Sequence, residues 1–189
     1  MRFAMARASV LISAVLCVHC VAAAPVDTAE RIPVDVRRTT LIVNDADQSL
    51  ALYRDALGLR VIYDQMINSP MDNGEERKRR LVLLQANDDF VGVIGLLQYI
   101  HPLKPQRQEH FDEPVPGDPI IVINASDLDE RWQKVASSPG VQVVDAPSIV
   151  EYPRADGSKI KVNVTMIRDP DGYWLEINQL LDAPAKASD

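Results

Sequence analysis

The chain has 189 residues, and its 27 acidic residues outnumber 20 lysines and arginines, giving a formal net charge of −7. Such an acidic balance disfavours nucleic acid or an anionic membrane as a partner, so we expect a small molecule or another protein. The length is enough for one ordinary domain or for two small modules that share a core.

The first 23 residues have the pattern of a secretory signal peptide. Arg2 and Arg7 precede an apolar stretch, and Val21-Ala22-Ala23 is a small-residue cleavage site. We therefore expect export to the periplasm or the extracellular space, with no membrane anchor once the signal is cleaved. Cleavage would remove both cysteines, Cys17 and Cys20, so the mature chain would have neither disulfides nor thiolate metal ligands.

A first module is predicted over residues 36–100, after a flexible lead of residues 24–35. Its expected elements are a strand Val36–Asn44, a helix Ala46–Leu57 capped by Asp45 and ended by Gly58, and strands Leu59–Met66, Arg80–Ala86 and Val91–Tyr99. Asn73-Gly74 marks a chain reversal. The charged run Glu75–Arg80 is interpreted as the solvated shoulder of that hairpin, with an anion site as the alternative.

The same order of elements recurs after a proline-rich linker over residues 101–117. Residues 118–182 predict a second module, followed by a tail of residues 183–189. Its expected elements are a strand Asp118–Asn124, a helix that begins after Ser126 or Asp127 and is stopped by Gly140, and strands Val141–Asp145, Lys159–Ile167 and Tyr173–Gln179, with a reversal at Asp156-Gly157.

This weak repeat predicts an α+β fold made of two tandem β-α-β-β-β modules. One helix covers only one face of a four-stranded sheet, so each module needs something against its other face. Pairing of the two sheets would produce a concave cavity, which is the natural place for a ligand.

The final strand contains the most informative candidate site residue. Asp169-Pro170-Asp171-Gly172 predicts a tight turn, after which alternation places Trp174 and Glu176 on the face opposite Leu175 and Ile177. A carboxylate beside a tryptophan on a concave face is costly unless something pairs with it. Glu176 is therefore the best single candidate for a site residue.

These features together resemble the vicinal oxygen chelate superfamily, which includes glyoxalase I, bleomycin-resistance proteins and extradiol dioxygenases. The resemblance rests on the segment Thr39–Asp45 with Leu57-Gly58-Leu59, and on the closing segment Asp169–Ile177. It implies paired modules around a cavity that often holds one divalent metal. It also implies that homodimers are possible.

In the superfamily that this chain resembles, metal ligands come from four positions. The resemblance implies that these positions correspond to Arg38, Gly95 (or Ile94), Asp118 and Glu176. Only Glu176 is the usual residue type. A guanidinium cannot ligate a metal, and glycine offers no side-chain donor. We therefore expect no cofactor. If a divalent metal does bind, Glu176 and Asp118 are its predicted ligands.

The resemblance also suggests roles for individual residues. Glu176, Arg38 and Asp118 are candidate catalytic residues, with the Arg38 guanidinium supplying the positive charge that a metal supplies elsewhere. Trp174, Arg38 and His101 are candidate substrate-binding residues. Tyr53 and Trp132 are interpreted as core residues of their helices, and His110 as solvated.

Three functions remain open from the sequence. One is a protein that binds, and transforms without a bound metal, a small oxygen-bearing molecule such as a hemithioacetal, a catechol-like compound or an antibiotic. The second is a metal-dependent lyase or dioxygenase of the same superfamily. The third is a non-catalytic scaffold that dimerises or sequesters a ligand.

Overall fold

The computed structural model describes residues 29–88, 90–106, 112–154 and 157–182. The expected signal peptide with its two cysteines, the tail 183–189, His110 and Asp156 lie outside these ranges. The chain divides into two units at Pro33, and the helices and strands of the described residues lie in the second unit. Among the described residues, no helix has the length and apolar character needed to cross a bilayer.

The first module forms a four-stranded sheet with one helical segment. Its elements are β1 (Arg38–Val43), α1 (Ala46–Leu50) continued by a π-helical segment (Ala51–Ala56), β2 (Arg60–Pro70), β3 (Glu76–Gln85) and β4 (Val93–His101). The strand order is β1-β4-β3-β2, with β1 parallel to β4 and the other pairs antiparallel.

The second module repeats this topology, which confirms the predicted fold class. Its elements are β5 (Ile120–Asn124), α2 (Leu128–Ala136), β6 (Gln142–Pro153), β7 (Lys159–Arg168) and β8 (Trp174–Leu180). The strand order is β5-β8-β7-β6, again with a single parallel pair, between β5 and β8.

The helix signals in the first module are confirmed. The Asp45 carboxylate accepts hydrogen bonds from the backbone N–H groups of Asp47 and Gln48 and so caps α1. Tyr53 and Leu57 are buried as predicted, and Gly58 follows with a φ of 77°. The last turns widen to a π-helical pattern, which the periodicity did not indicate.

Several predicted strand boundaries are wrong. β2 continues to Pro70 and β6 to Pro153, beyond their predicted ends at Met66 and Asp145. The charged run lies in the β2–β3 hairpin, but it is already strand from Glu76 onward. It continues as a strand because Arg80 is neutralised by Asp64 of β2 and Asp47 of α1, at 2.7 and 2.9 Å. Asp118 was predicted to begin a strand, but it lies two residues before β5, in a turn that it closes with Val115.

One hydrophobic core joins the two modules on the helical sides of their sheets. It includes Leu41, Leu96, Leu128, Ile167 and Leu175, so strands of both sheets and α2 contribute to it. The opposite faces of the sheets are therefore the ones available for a ligand.

Candidate functional site

The predicted alternation along β8 is observed. Leu175 and Ile177 are fully buried in the shared core. Trp174 and Glu176 point to the other face, where Glu176 is half-buried and accepts a 2.7 Å hydrogen bond from the Asn178 side-chain amide. We call the surface formed by Trp174, Glu176, Asn178 and Arg168 the Glu176 face.

Arg168 is a member of this face that the sequence reasoning missed. It is the β7 partner of Trp174, and its guanidinium carbon lies 5.0 Å from the centre of the Trp174 ring. The sequence could have indicated Arg168, because antiparallel pairing across the turn before β8 places the end of β7 beside the start of β8.

Two polar atoms of the Glu176 face are buried without a hydrogen-bond partner: Nε of Arg168 and Oδ1 of Asn178. One is a donor and the other is an acceptor. Buried polar atoms are nearly always paired in native proteins, and the exceptions point to a missing ligand or water. The face therefore presents an unused donor and an unused acceptor on either side of Glu176.

Arg38 and Gly95 occupy neighbouring positions in the first sheet. A Cβ placed on Gly95 would lie 3.2 Å from Cδ of Arg38 and 3.0 Å from Oγ1 of Thr40. The Arg38 stem therefore lies over the glycine, where a larger residue would displace it. Two positions that were predicted to correspond to metal ligands of the superfamily are therefore in contact through the Arg38 stem.

Asp118 and His101, two other predicted site residues, make hydrogen bonds to residues outside this face. Asp118 accepts a hydrogen bond from the backbone N–H of Val115 at 3.2 Å. His101 is exposed at the end of β4, with Nε2 3.2 Å from a Glu75 carboxylate oxygen. Among the described residues, no ion pair joins Arg38 to Asp118 or Glu176, so their joint role stays a prediction.

The donor set of the described residues does not fit a divalent metal. No group of three or more His, Asp or Glu side chains converges within these ranges. Glu176 is engaged by Asn178, and neither Arg38 nor Gly95 can ligate. The expectation of metal-independent binding rests on this chemistry and stays a prediction.

The acidic turn before β8 has a structural role that its sequence did not reveal. Asp169 is only 2% exposed, and it accepts hydrogen bonds from the Tyr53 hydroxyl and from the backbone N–H groups of Asp171 and Tyr173, each at 2.9 Å. Asp171 accepts from the backbone and side-chain N–H groups of Asn44, at 2.8 and 2.7 Å. Both carboxylates therefore tie the second module to the first.

Burial raises the pKa of Asp169 to about 6, although the hydrogen bonds from Tyr173, Tyr53 and Asp171 oppose this shift. Burial also raises the pKa of Asp171, with hydrogen bonds from Asn44 and Ser49 acting against it. The pKa of Tyr53 is raised by burial and by the neighbouring Asp169 charge. The sequence predicted Tyr53 as a core residue, and this is confirmed.

A cavity of about 240 Å³ lies where the modules meet. It is bounded by the end of β1, by Tyr99 of β4, by residues 103–106 and by the turn Asp171–Tyr173. None of the residues predicted for the site lines it. The Tyr173 hydroxyl accepts from the Ile42 N–H at 3.0 Å and donates to the Ile42 carbonyl at 3.2 Å, which closes one wall.

The Glyoxalase/Bleomycin resistance protein/Dioxygenase superfamily matches residues 36–177 of this chain. With paired modules and a single shared core, the chain belongs to that superfamily.

Solved structures to which this chain is similar include a glyoxalase family protein from Bacillus cereus, at 14% identity, 82% coverage of this chain, 99% of that chain and a TM-score of 0.59. Others are the trypanothione-dependent glyoxalase I of Leishmania major (18% identity, 77% and 86% coverage, TM-score 0.48) and an antibiotic-binding protein from a Streptomyces species (18%, 79% and 99%, 0.48). The Bacillus cereus structure has the same fold. No curated protein matches the chain.

Proposed function

We propose that this protein is exported and binds a small oxygen-bearing molecule on the Glu176 face, without a bound metal. The observation that carries the proposal is the pair of buried, unpartnered polar atoms there, Arg168 Nε and Asn178 Oδ1. Leaving such groups unpaired costs roughly 1–3 kcal/mol each, a cost that a ligand would remove.

The chemistry of the face favours a polar molecule with a flat apolar part. Arg168 offers a donor to a carbonyl, hydroxyl or anionic oxygen, while Asn178 and Glu176 offer acceptors to hydroxyl groups. The Trp174 ring supplies a rigid apolar wall, although Arg168 now lies over it and the ring is almost fully buried. A ligand would therefore engage the guanidinium before it reached the ring.

The same groups support a metal-independent reaction on the bound molecule. Glu176 is the carboxylate that would accept a proton from a carbon or hydroxyl next to a carbonyl. The guanidinium of Arg168 or Arg38 would stabilise the resulting oxyanion by charge-assisted hydrogen bonds. The packing of the Arg38 stem against Gly95 supports the choice of Arg38 as one of these candidates.

A thermal-shift panel tests the binding proposal. The probes are catechol, the hemithioacetal formed from methylglyoxal and glutathione, and bleomycin. We expect at least one of them to raise the melting temperature of the wild-type protein, since a ligand that binds only the folded state stabilises it. Glu176→Gln should lose this shift, whereas the matched control Glu130→Gln, on the exposed side of α2, should keep it. The proposal fails if no probe shifts the wild type or if Glu176→Gln responds like the control.

Metal analysis separates this proposal from the metalloenzyme alternative. Protein purified without chelator should contain no stoichiometric zinc, nickel, manganese or iron. One equivalent of any of these, lost on Glu176→Gln, would instead favour the metal-dependent lyase or dioxygenase.

Export is tested by expression of the full chain in a Gram-negative host. We expect the mature protein in the periplasmic or extracellular fraction, with its first residue at position 24. A full-length chain found only in the cytoplasm would contradict the proposal.

A further inference from the structure

We propose that the cavity where the modules meet, here called the junction cavity, is a second binding site that takes a single-ring aromatic carboxylate. The residues that line it include Ile42, Tyr99, Leu103, Lys104, Asp171 and Tyr173. It shares no residue with the Glu176 face, so this inference goes beyond the proposed function and does not depend on it.

The walls of the junction cavity fit a flat apolar ring. Tyr99 and Tyr173 contribute aromatic surfaces, and the Tyr173 hydroxyl is occupied by the Ile42 backbone, which fixes its ring as a wall. Leu103 is 79% exposed at the rim, and Ile42 is 43% exposed. A bound ring would cover part of this apolar surface and so gain free energy.

A cation that lines the cavity selects for an anion. The Lys104 ammonium lies 5.0 Å from the centre of the Tyr99 ring, and Lys104 forms no ion pair with a carboxylate of the described ranges. A carboxylate above Tyr99 would meet this ammonium group.

An acidic group in the lining limits the ligand to one negative charge. Asp171 lines the cavity, and its oxygens already accept hydrogen bonds from Asn44 at 2.7 and 2.8 Å and from Ser49 at 3.4 Å. A second carboxylate on the ligand would face this acidic group and be repelled. We therefore expect benzoate to bind and terephthalate, which carries carboxylates at both ends of the ring, to bind more weakly.

The size of the cavity agrees with a single ring. At about 240 Å³ it is smaller than the roughly 300–1,000 Å³ of sites for drug-sized ligands. A fused or extended ring system would have to displace residues 103–106.

Calorimetric titration with benzoate tests the proposal, with benzyl alcohol as the neutral analogue. We expect benzoate to bind, benzyl alcohol and terephthalate to bind more weakly, and Lys104→Gln to weaken benzoate binding about three- to fivefold, as for an exposed charge pair. Lys134→Gln, on the exposed side of α2, is the matched control and should bind like the wild type.

Glu176→Gln keeps this test separate from the proposed function. Benzoate should bind to that variant as it does to the wild type, even where the probes of the Glu176 face no longer bind. The inference is overturned if benzoate does not bind to the wild type at concentrations of about 10 mM, which corresponds to an affinity too weak for a built site. It is also overturned if benzyl alcohol binds equally well, or if Lys104→Gln matches Lys134→Gln.

Discussion

The turn Asp169–Tyr173 and the Glu176 face are adjacent in the chain, yet their polar groups are used in opposite ways. Asp169 is buried, and both of its oxygens accept hydrogen bonds, one of them from Tyr53 in the other module. Arg168 directly precedes this turn and Asn178 follows it by a few residues, yet Arg168 Nε and Asn178 Oδ1 are buried and have no partner. Burial of a polar group therefore does not by itself indicate function, whereas burial without a partner marks a candidate site for a ligand or an ordered water.

A substitution in the turn should therefore affect stability, and one on the Glu176 face should affect binding.

Asp169→Ala should give the largest loss of stability. It leaves the Tyr53 hydroxyl and the N–H groups of Asp171 and Tyr173 without their acceptor in a buried place, which should cost about 3 kcal/mol in the free energy of unfolding. Urea denaturation followed by circular dichroism measures this. Asp72→Ala, in an exposed turn, is the control and should stay within about 0.5 kcal/mol of the wild type. A loss no greater than that of the control would mean that Asp169 does not join the modules.

Asp169 should make the protein less stable as the pH rises through the acidic range, which is opposite to the effect of an ion-paired carboxylate. Because its pKa rises from 3.8 to about 6 on folding, the native state holds more protons than the unfolded chain between these values. Stability should thus fall as the pH rises from about 4 to about 6, by roughly 2–3 kcal/mol, and then stay level with respect to this group.

Asp169→Asn isolates this contribution, since the amide keeps an acceptor oxygen but does not titrate. Other carboxylates act in the opposite direction, because Arg80 lowers the pKa of Asp64 and Arg131 lowers the pKa of Asp127. Their contribution to the stability of the protein is lost as the pH falls. The free energy of the variant minus that of the wild type should therefore increase between about pH 4 and 6. A difference that is constant with pH would contradict the assignment.

Gly140→Ala should weaken the contact between the modules from the other side of the turn. An added Cβ would lie 2.5 Å from the Gln48 side-chain amide and 3.0 Å from Cβ of Pro170, and φ is +80°. Gln48 can move, but the proline ring cannot, so we expect a cost of about 2 kcal/mol. Gly74→Ala is the matched control, because it has a φ of +83° and open space around it. It should cost only about 1 kcal/mol, and equal losses in chemical denaturation would mean that Pro170 does not press on Gly140.

Arg168→Met should have the smallest effect on stability. Methionine keeps an apolar stem against Trp174 and removes the unpaired buried donor, so the free energy of unfolding should change by less than about 0.5 kcal/mol or increase. Affinity for the probe that binds to the Glu176 face should nevertheless fall by about tenfold, because a charge-assisted hydrogen bond is lost. A large loss of stability together with unchanged affinity would mean that Arg168 stabilises the fold and does not bind the ligand.

Local chemistry explains why much of the fold could be predicted from the sequence. Asp45 as a helix cap, Gly58 after the first helix and the alternation through Trp174 and Glu176 each depend on a few neighbouring residues. Such signals do not require knowledge of what lies across the molecule.

The failures concern contacts between distant residues. Arg80 remains in a strand because Asp64 and Asp47 neutralise it, and Tyr53 binds a carboxylate 116 positions away. The packing of Arg38 over Gly95 likewise depends on the register between β1 and β4. The composition of each segment contains no information about these partners, so the candidate site could be predicted only at β8.

The most direct test of the central claim is an NMR titration that follows the Arg168 Nε–H and the Trp174 indole N–H during addition of catechol, the hemithioacetal and bleomycin. We predict that at least one probe shifts both resonances in the wild type, leaves the Tyr53 ring resonances unchanged, and shifts neither in Glu176→Gln. If none of the probes moves the Arg168 and Trp174 signals, or if the shifts persist in Glu176→Gln, the Glu176 face is not the binding site.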